Sequence, residues 1–342
     1  MKPSYNNQIS WRAPSNIALI KYWGKKDGQF PMNPSLSFSL EKCHTEMSLI
    51  YRPASELNVN FTFEGNIKTS FGDKIKKYLT SIAQKYSWMN ELEFEINSKN
   101  SFPHSSGIAS SASSFAALAL CLTDLITSKE NKPNDFFEMA SDLARQGSGS
   151  AARSVFAGYS SWGQTALIKN SSDNYARPLL NNIHPSFLKI KNVICVVDAN
   201  EKSVSSTQGH ALMANHPMKE MRIQQVHQQL ENLLLILESG DWNAFAQLVE
   251  AEALTLHALM LTSQPSFILL KPNTLNLIQE IQSLRKSGHQ VCFTLDAGAN
   301  LHLLYDPSEN QMIEQKMLAW KESGYLLNAI FDGVGSGPSK LA

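Results

Sequence analysis

Residues 103–113, Pro-His-Ser-Ser-Gly-Ile-Ala-Ser-Ser-Ala-Ser, run directly into the apolar stretch Phe115-Ala116-Ala117-Leu118-Ala119-Leu120. That order fixes a loop-to-helix transition built from small residues. Gly, Ala and Ser let the backbone approach a ligand. The first N–H groups of the helix point outward unpaired, with the positive end of the macrodipole behind them, which makes an anion site and most often a phosphate site. The alternative is a serine-rich helix cap that holds no ligand. No Gly-Lys-Ser/Thr follows, so the loop is not a Walker A loop, and it does not match the Gly-x-Gly-x-x-Gly dinucleotide turn. A phosphate binder of another lineage is required.

The bulk properties narrow the class. A chain of 342 residues suits two domains and a substantial core. Its formal net charge is zero, so no long-range field favours nucleic acid or an anionic membrane, and any anionic ligand is held by local charge. No apolar run approaches the roughly 20 residues of a membrane span. No apolar signal segment follows Met-Lys-Pro-Ser-Tyr. Cys43, Cys121, Cys195 and Cys292 are scattered, without metal-ligand spacing, and read as buried reduced thiols. The expectation is a reduced cytoplasmic protein that acts on a small molecule.

Along the chain, strands are expected over 45–51, 92–96, 158–168, 193–197, 291–295, 301–305 and about 326–331. Helices are expected over 71–86, after the small-residue loop, and over about 133–145, 218–238, 242–261 and 274–286. Asn-Asn-Ile-His-Pro-Ser breaks the pattern near 181–187 and gives a seam, hence domains 1–184 and 185–342. Strands interleaved with paired helices in both halves predict an α+β protein of two lobes, with the ligand between them.

Four further segments carry chemistry-bearing residues. An apolar run from Ala13 to Ile20 ends in Lys21-Tyr22-Trp23-Gly24-Lys25-Lys26, either a grip on an anionic substrate or a solvated turn. Residues 31–40 alternate, and their serines either line a cleft or belong to an ordinary half-buried strand. Ser148, Ser150 and Arg153 sit in a Gly/Ser turn, where a guanidinium matches a carboxylate bidentately. Asp296 stands where an apolar strand breaks into Ala-Gly. It is either a desolvated carboxylate aimed at a substrate hydroxyl or a turn-forming Asx residue.

In order and spacing these segments resemble the GHMP kinase superfamily and, within it, the mevalonate diphosphate decarboxylases. Residues 16–25, ending in Lys-Tyr-Trp-Gly-Lys, are similar to that family's N-terminal signature, and 98–113 to its phosphate loop. Residues 148–154 and Ser205-Ser206-Thr207-Gln208-Gly209 resemble its substrate turns, 296–300 its catalytic aspartate segment, and 333–338 its C-terminal tail. The chain departs from the family pattern at Ser105-Ser106-Gly107-Ile108, where Ala-Ala-Gly-Leu is usual. It also departs at Ser114 (Gly), Ala152 (Cys), Ala299 (Pro) and His210 (Met).

The resemblance implies the two-lobed GHMP kinase fold, with an N-terminal ribosomal-protein-S5-domain-2-like lobe, a ferredoxin-like C-terminal lobe and the active site between them. It implies that mevalonate 5-diphosphate and ATP give isopentenyl diphosphate, ADP, phosphate and carbon dioxide. A sibling that acts on mevalonate 5-phosphate, or a mevalonate 3-kinase that stops before decarboxylation, is the alternative, and a non-catalytic relative of the fold is a more distant one. Asp296, Arg153 and Lys21 become the catalytic candidates. Tyr22, Trp23, Lys25, Ser148, Ser150, Ser206 and Thr207 become substrate contacts. Ser98, Asn100, Pro103, Gly107, Ala109, Ser110, Ser111 and Ser113 become the ATP contacts. Mg2+ is expected through phosphates and water, with no protein ligand motif. A homodimer is implied, with neither nucleic acid nor membrane as a partner.

Overall fold

The computed structural model describes residues 8–103, 108, 110–130, 135–200 and 204–342. The chain opens with two long strands, β1 (Gln8–Ile20) and β2 (Ser35–Pro53), then β3 (Asn58–Phe63), β4 (Asn66–Ile67), α1 (Thr69–Ala83) and β5 (Leu92–Asn100). There follow α2 (Ser110–Glu130), α3 (Phe136–Gly147), a 3-10 turn (Gly149–Val155), β6 (Tyr159–Trp162), β7 (Arg177–Pro178) and the short α4 (Pro185–Leu188). The remainder is β8 (Lys191–Val196), α5 (Ser206–Leu212), α6 (Lys219–Ser239), α7 (Trp242–Leu261), α8 (Pro272–Lys286), β9 (Val291–Leu295), β10 (Leu301–Tyr305), α9 (Asn310–Glu322), β11 (Asn328–Gly333) and β12 (Ser339–Lys340).

Two sheets result. The first runs β12-β1-β2-β5-β3-β4, with β6 paired to the start of β2 and β7 to β6. The second, β11-β8-β10-β9, is antiparallel throughout, the ferredoxin-like order of the second lobe. The β1–β2 register shifts between Pro14 and Asn16, where proline has no N–H to give to the ladder. The strand expected over 158–168 stops at Trp162. Gly163 turns the chain at φ +108°, and a Cβ there would lie 2.7 Å from the Pro34 Cα.

Packing explains the local choices. In α2, Ala112, Ala116, Ala117 and Ala119 are fully buried, so this helix lies close against β1 and β2. By length and hydropathy α2 and α7 would each qualify as a membrane span, contrary to the sequence expectation, but 67% and 61% of those windows are buried inside the protein. The serines at 35, 37 and 39 are buried as fully as the intervening Leu36, Phe38 and Leu40. Both faces of this strand are therefore covered, and its hydroxyls serve the interior rather than a cleft.

The lobes share a core. Ile17, Leu19, Phe38 and Leu40 of the first sheet pack with Phe187, Leu230, Leu233 and Phe245 of the second half. Asp332 on β11 accepts hydrogen bonds from the N–H groups of Glu41, Lys42 and Cys43 on β2 at 2.8–2.9 Å. Trp11 and Arg12 pair with Lys340 and Ser339. All four cysteines are buried free thiols.

Candidate active site

A cavity of about 580 Å³ lies between the lobes. Four distant segments open onto it. Lys21 follows β1 where the ladder ends at the Ile20–Leu36 pair. Ser110 and Ser111 begin α2, Arg153 lies in the 3-10 turn after α3, and Asp296 follows β9. All five line the cavity.

Its centre is an ion pair. Lys21 Nζ donates to Asp296 Oδ1 at 3.0 Å, with the lysine side chain 2% exposed and the aspartate 28%. Burial pulls the lysine below its ordinary pKa, while Asp296 and then Glu252 oppose that shift and Arg153 adds to it. The Asp296 carbonyl lies 3.1 Å from His257 Nε2 on α7. Asp296 is therefore held by the second lobe and faces the first.

Arg153 is buried, and burial brings its pKa down to about 10 against the opposing charge of Asp296. Its guanidinium donates to Ser35 Oγ and, at 3.4 Å from both Nε and Nη2, to Asn16 Oδ1. Asn16 in turn donates to the Ser150 carbonyl at 3.1 Å and to Ser154 Oγ at 2.8 Å. Ser111 Oγ lies 3.4 Å from Ser148 Oγ, which lies 3.4 Å from Ser150 Oγ. A row of hydroxyls thus joins the start of α2 to the arginine turn.

Tyr22 packs edge-on against Trp162, with ring centres 4.8 Å apart. Burial raises its phenol well above the usual value. A Cβ at Gly149 would meet the Tyr22 hydroxyl and the Trp162 ring at 2.8 Å, so only glycine lets the turn approach this closely. Lys25 Nζ donates to Gln29 Oε1 at 3.0 Å, and burial lowers its pKa.

Of the expected site residues, Lys21, Tyr22, Trp23, Lys25, Ser98, Asn100, Ser110, Ser111, Ser148, Ser150, Arg153, Thr207 and Asp296 line the cavity. Ser113 does not. Its side chain is fully buried, with Oγ 2.7 Å from Thr45 Oγ1, because two residues beyond Ser111 the helix has rotated by about 200° and turns it onto the sheet face. Pro103 is exposed and is not part of the lining. Gly107, Ala109 and the Ser206 side chain lie outside the described residues.

Sequence reasoning missed several residues. His210 on α5 lies against Tyr22 and Trp23, with ring centres 4.3 and 4.7 Å away, and accepts the Gly24 N–H on Nδ1 at 3.0 Å. Burial, with Lys25 nearby, brings its pKa down to about 3 and keeps it neutral. Phe61, Phe63, Phe71, Ile75 and Tyr78 add an apolar wall to the cavity. The alternating pattern of 58–63 and the helical stripe of α1 signal these as core positions, with nothing to mark them as cavity lining.

The described residues contain no cluster of three His, Cys, Asp or Glu suited to a metal ion. The hydroxyls of Ser110 and Ser111 are hard oxygen donors, the type magnesium and its phosphate ligands accept.

Comparison with known proteins bears on both lobes. Residues 13–176 match the diphosphomevalonate decarboxylase-like N-terminal domain, and residues 192–339 match the mevalonate 5-diphosphate decarboxylase C-terminal domain. Diphosphomevalonate decarboxylase of Ganoderma lucidum is 30% identical over 325 residues, 89% of this chain and 79% of that one. The crystal structure of mevalonate diphosphate decarboxylase from Staphylococcus aureus superposes with a TM-score of 0.85 at 29% identity, over 98% of each chain. The structure of MDDEF in complex with MVAPP, AMPPCP and magnesium gives 0.84 at 26% identity, again over 98% of each chain.

Proposed function

From the premise that this chain belongs to the diphosphomevalonate decarboxylase family, we propose how its own residues divide the work of that reaction. The activity is ATP-dependent decarboxylation of mevalonate 5-diphosphate. A tertiary hydroxyl leaves poorly, and the γ-phosphoryl group of ATP turns it into a good leaving group. Phosphoryl transfer asks mainly for positioning and charge stabilisation.

The observation that carries the assignment is the 3.0 Å contact between Lys21 and Asp296 within a cavity shared with Arg153. Asp296 is the base that takes the proton of the 3-hydroxyl, because its carboxylate is the more exposed partner of the pair. Lys21, behind it, orients that carboxylate. Arg153, anchored by Asn16 and Ser35, presents its fork to the substrate carboxylate and sets the geometry for loss of carbon dioxide. Tyr22, Lys25, Ser148, Ser150, Ser206 and Thr207 meet the remainder of the substrate.

The start of α2, with Ser110 and Ser111, cradles the ATP phosphates, and Ser98 and Asn100 complete that side. Ser110 and Ser111 would hold magnesium there with the nucleotide, together with water, and the ion would supply neutralisation of phosphate charge. The second sheet lies wholly after residue 185, which supports a lobe boundary at 184/185. The same reading includes a homodimer and a cytoplasmic location, tested by light scattering and by fractionation.

The deciding experiment is a coupled assay of ADP and carbon dioxide with mevalonate, its 5-phosphate and its 5-diphosphate. Stoichiometric release of both products from the 5-diphosphate alone is expected. ADP without carbon dioxide would refute the assigned chemistry.

A further inference from the structure

Lys21 is held by its main chain as firmly as by its ammonium. It lies one residue beyond the β1–β2 ladder, so its backbone groups have no strand partner there. Its N–H donates instead to Glu252 Oε2 at 3.0 Å. Its carbonyl accepts from Asn33 Nδ2 at 2.9 Å and from Arg222 Nη2 at 3.4 Å. Arg222 also grips Glu252 with both arms, Nη1 to Oε1 at 2.7 Å and Nη2 to Oε2 at 2.8 Å. The two side chains are 2% and 0% exposed, on α6 and α7 of the second lobe.

We propose that the buried Arg222–Glu252 pair is a positioning device for the known reaction, clamping the peptide groups of Lys21 so that its ammonium meets Asp296. Charge attraction alone does not account for such a pair. Desolvating two charges offsets much of their attraction, and well-packed apolar residues in their place are often neutral or stabilising. An apolar pair cannot accept an N–H and donate to a C=O of the same residue. Both positioned partners, Asp296 and the clamp, belong to the second lobe, so the clamp registers a first-lobe residue against its own lobe. The Glu252 carboxylate also adds negative charge beside a lysine crowded by Arg153, which favours the ammonium form. The charged and titratable groups around Lys21 are Asp296 after β9, Glu252 on α7, Arg222 on α6, Arg153 in the 3-10 turn and His302 on β10.

This inference rests on Lys21 acting in catalysis as assigned above. The test replaces the pair by apolar residues, Arg222→Met with Glu252→Leu, in the full chain. The double variant is expected to fold, with a melting temperature lowered by the Lys21 N–H left without its Glu252 acceptor. Its kcat for carbon dioxide release should fall by about tenfold or more, since small misplacements at a reacting centre are costly. KM for mevalonate 5-diphosphate should change less than kcat, and the alkaline limb of the pH–rate profile should move to lower pH as the ammonium loses the Glu252 charge. A folded double variant with wild-type kcat and an unmoved alkaline limb overturns the proposal. If that variant does not fold, Arg222→Lys, which keeps the cation and the Glu252 charge but loses the fork, carries the test through kcat, and a folded Arg222→Lys variant with wild-type kcat overturns the proposal. If neither folds, the pair holds the core rather than Lys21, and the proposal is likewise overturned. Wild-type protein that releases no carbon dioxide would refute the assigned reaction itself, a separate outcome.

Discussion

Lys21 Nζ and Asp296 Oδ1 stand 3.0 Å apart although 275 residues separate them. The contact is asymmetric: the ammonium is sealed in and the carboxylate keeps an open side toward the cavity. Burying a lysine costs free energy unless a carboxylate pairs with it, so each partner depends on the other in a different way.

Asp296→Ala removes the base and leaves a buried ammonium unpaired. Turnover should fall by about 10²–10⁴-fold, the usual worth of a general base, while mevalonate 5-diphosphate still binds. Steady-state kinetics together with calorimetric binding checks this. A loss below about tenfold rules out the base role.

Arg153→Lys keeps a positive charge but loses the planar fork that Asn16 and Ser35 orient. Carbon dioxide release is expected to drop by about 10²-fold or more, the scale of a small misplacement at the reacting centre. Near-wild-type rates would exclude bidentate recognition of the carboxylate.

His302 gives a pH prediction. It is buried on β10, with Nδ1 3.2 Å from Asn192 Oδ1. Burial lowers its pKa to about 4, with Asp296, Lys21 and Asp332 as the nearby charges. The unfolded chain then binds the extra proton between about pH 6.5 and 4, so stability is full above that window and is lost as pH falls through it. The shift corresponds to a ceiling of about 3 kcal/mol. Melting temperatures over pH 4–7 should decline toward acid, and His302→Gln should flatten part of the slope. An unchanged slope in a folded His302→Gln variant would remove His302 as its source.

Gly149→Ala places a methyl group against the Tyr22 hydroxyl and the Trp162 ring. Trp162 is fully buried and cannot yield, so Tyr22 is displaced into the cavity. KM for mevalonate 5-diphosphate should rise several-fold with a smaller effect on melting temperature. Unaltered KM would show that Tyr22 does not contact the substrate.

Much of the second half was legible in the sequence: α7, β9 and β10 span the ranges their apolar periodicity predicts. Strand 158–168 was overextended because the apolar residues beyond Trp162 continue the pattern after Gly163 has turned the chain. Arg153, Lys21 and Asp296 were found because their types and surroundings resemble a family motif. Arg222 and Glu252 were invisible: each sits within a long amphipathic helix, where a charged residue reads as part of a solvated face. Their role arises only from a contact between residues 30 positions apart that also closes onto residue 21, a relation that local periodicity does not encode. Ser113 was misplaced for the opposite reason, since a serine-rich run does not say which hydroxyl faces outward.

The pairing of β12 with β1 has a consequence for synthesis. The outer edge of β1 lacks its Trp11 and Arg12 partners until residues 339 and 340 have left the ribosome. An exposed strand edge is a template for pairing with another chain. A chain truncated before Ser339 would keep that edge open for the life of the protein.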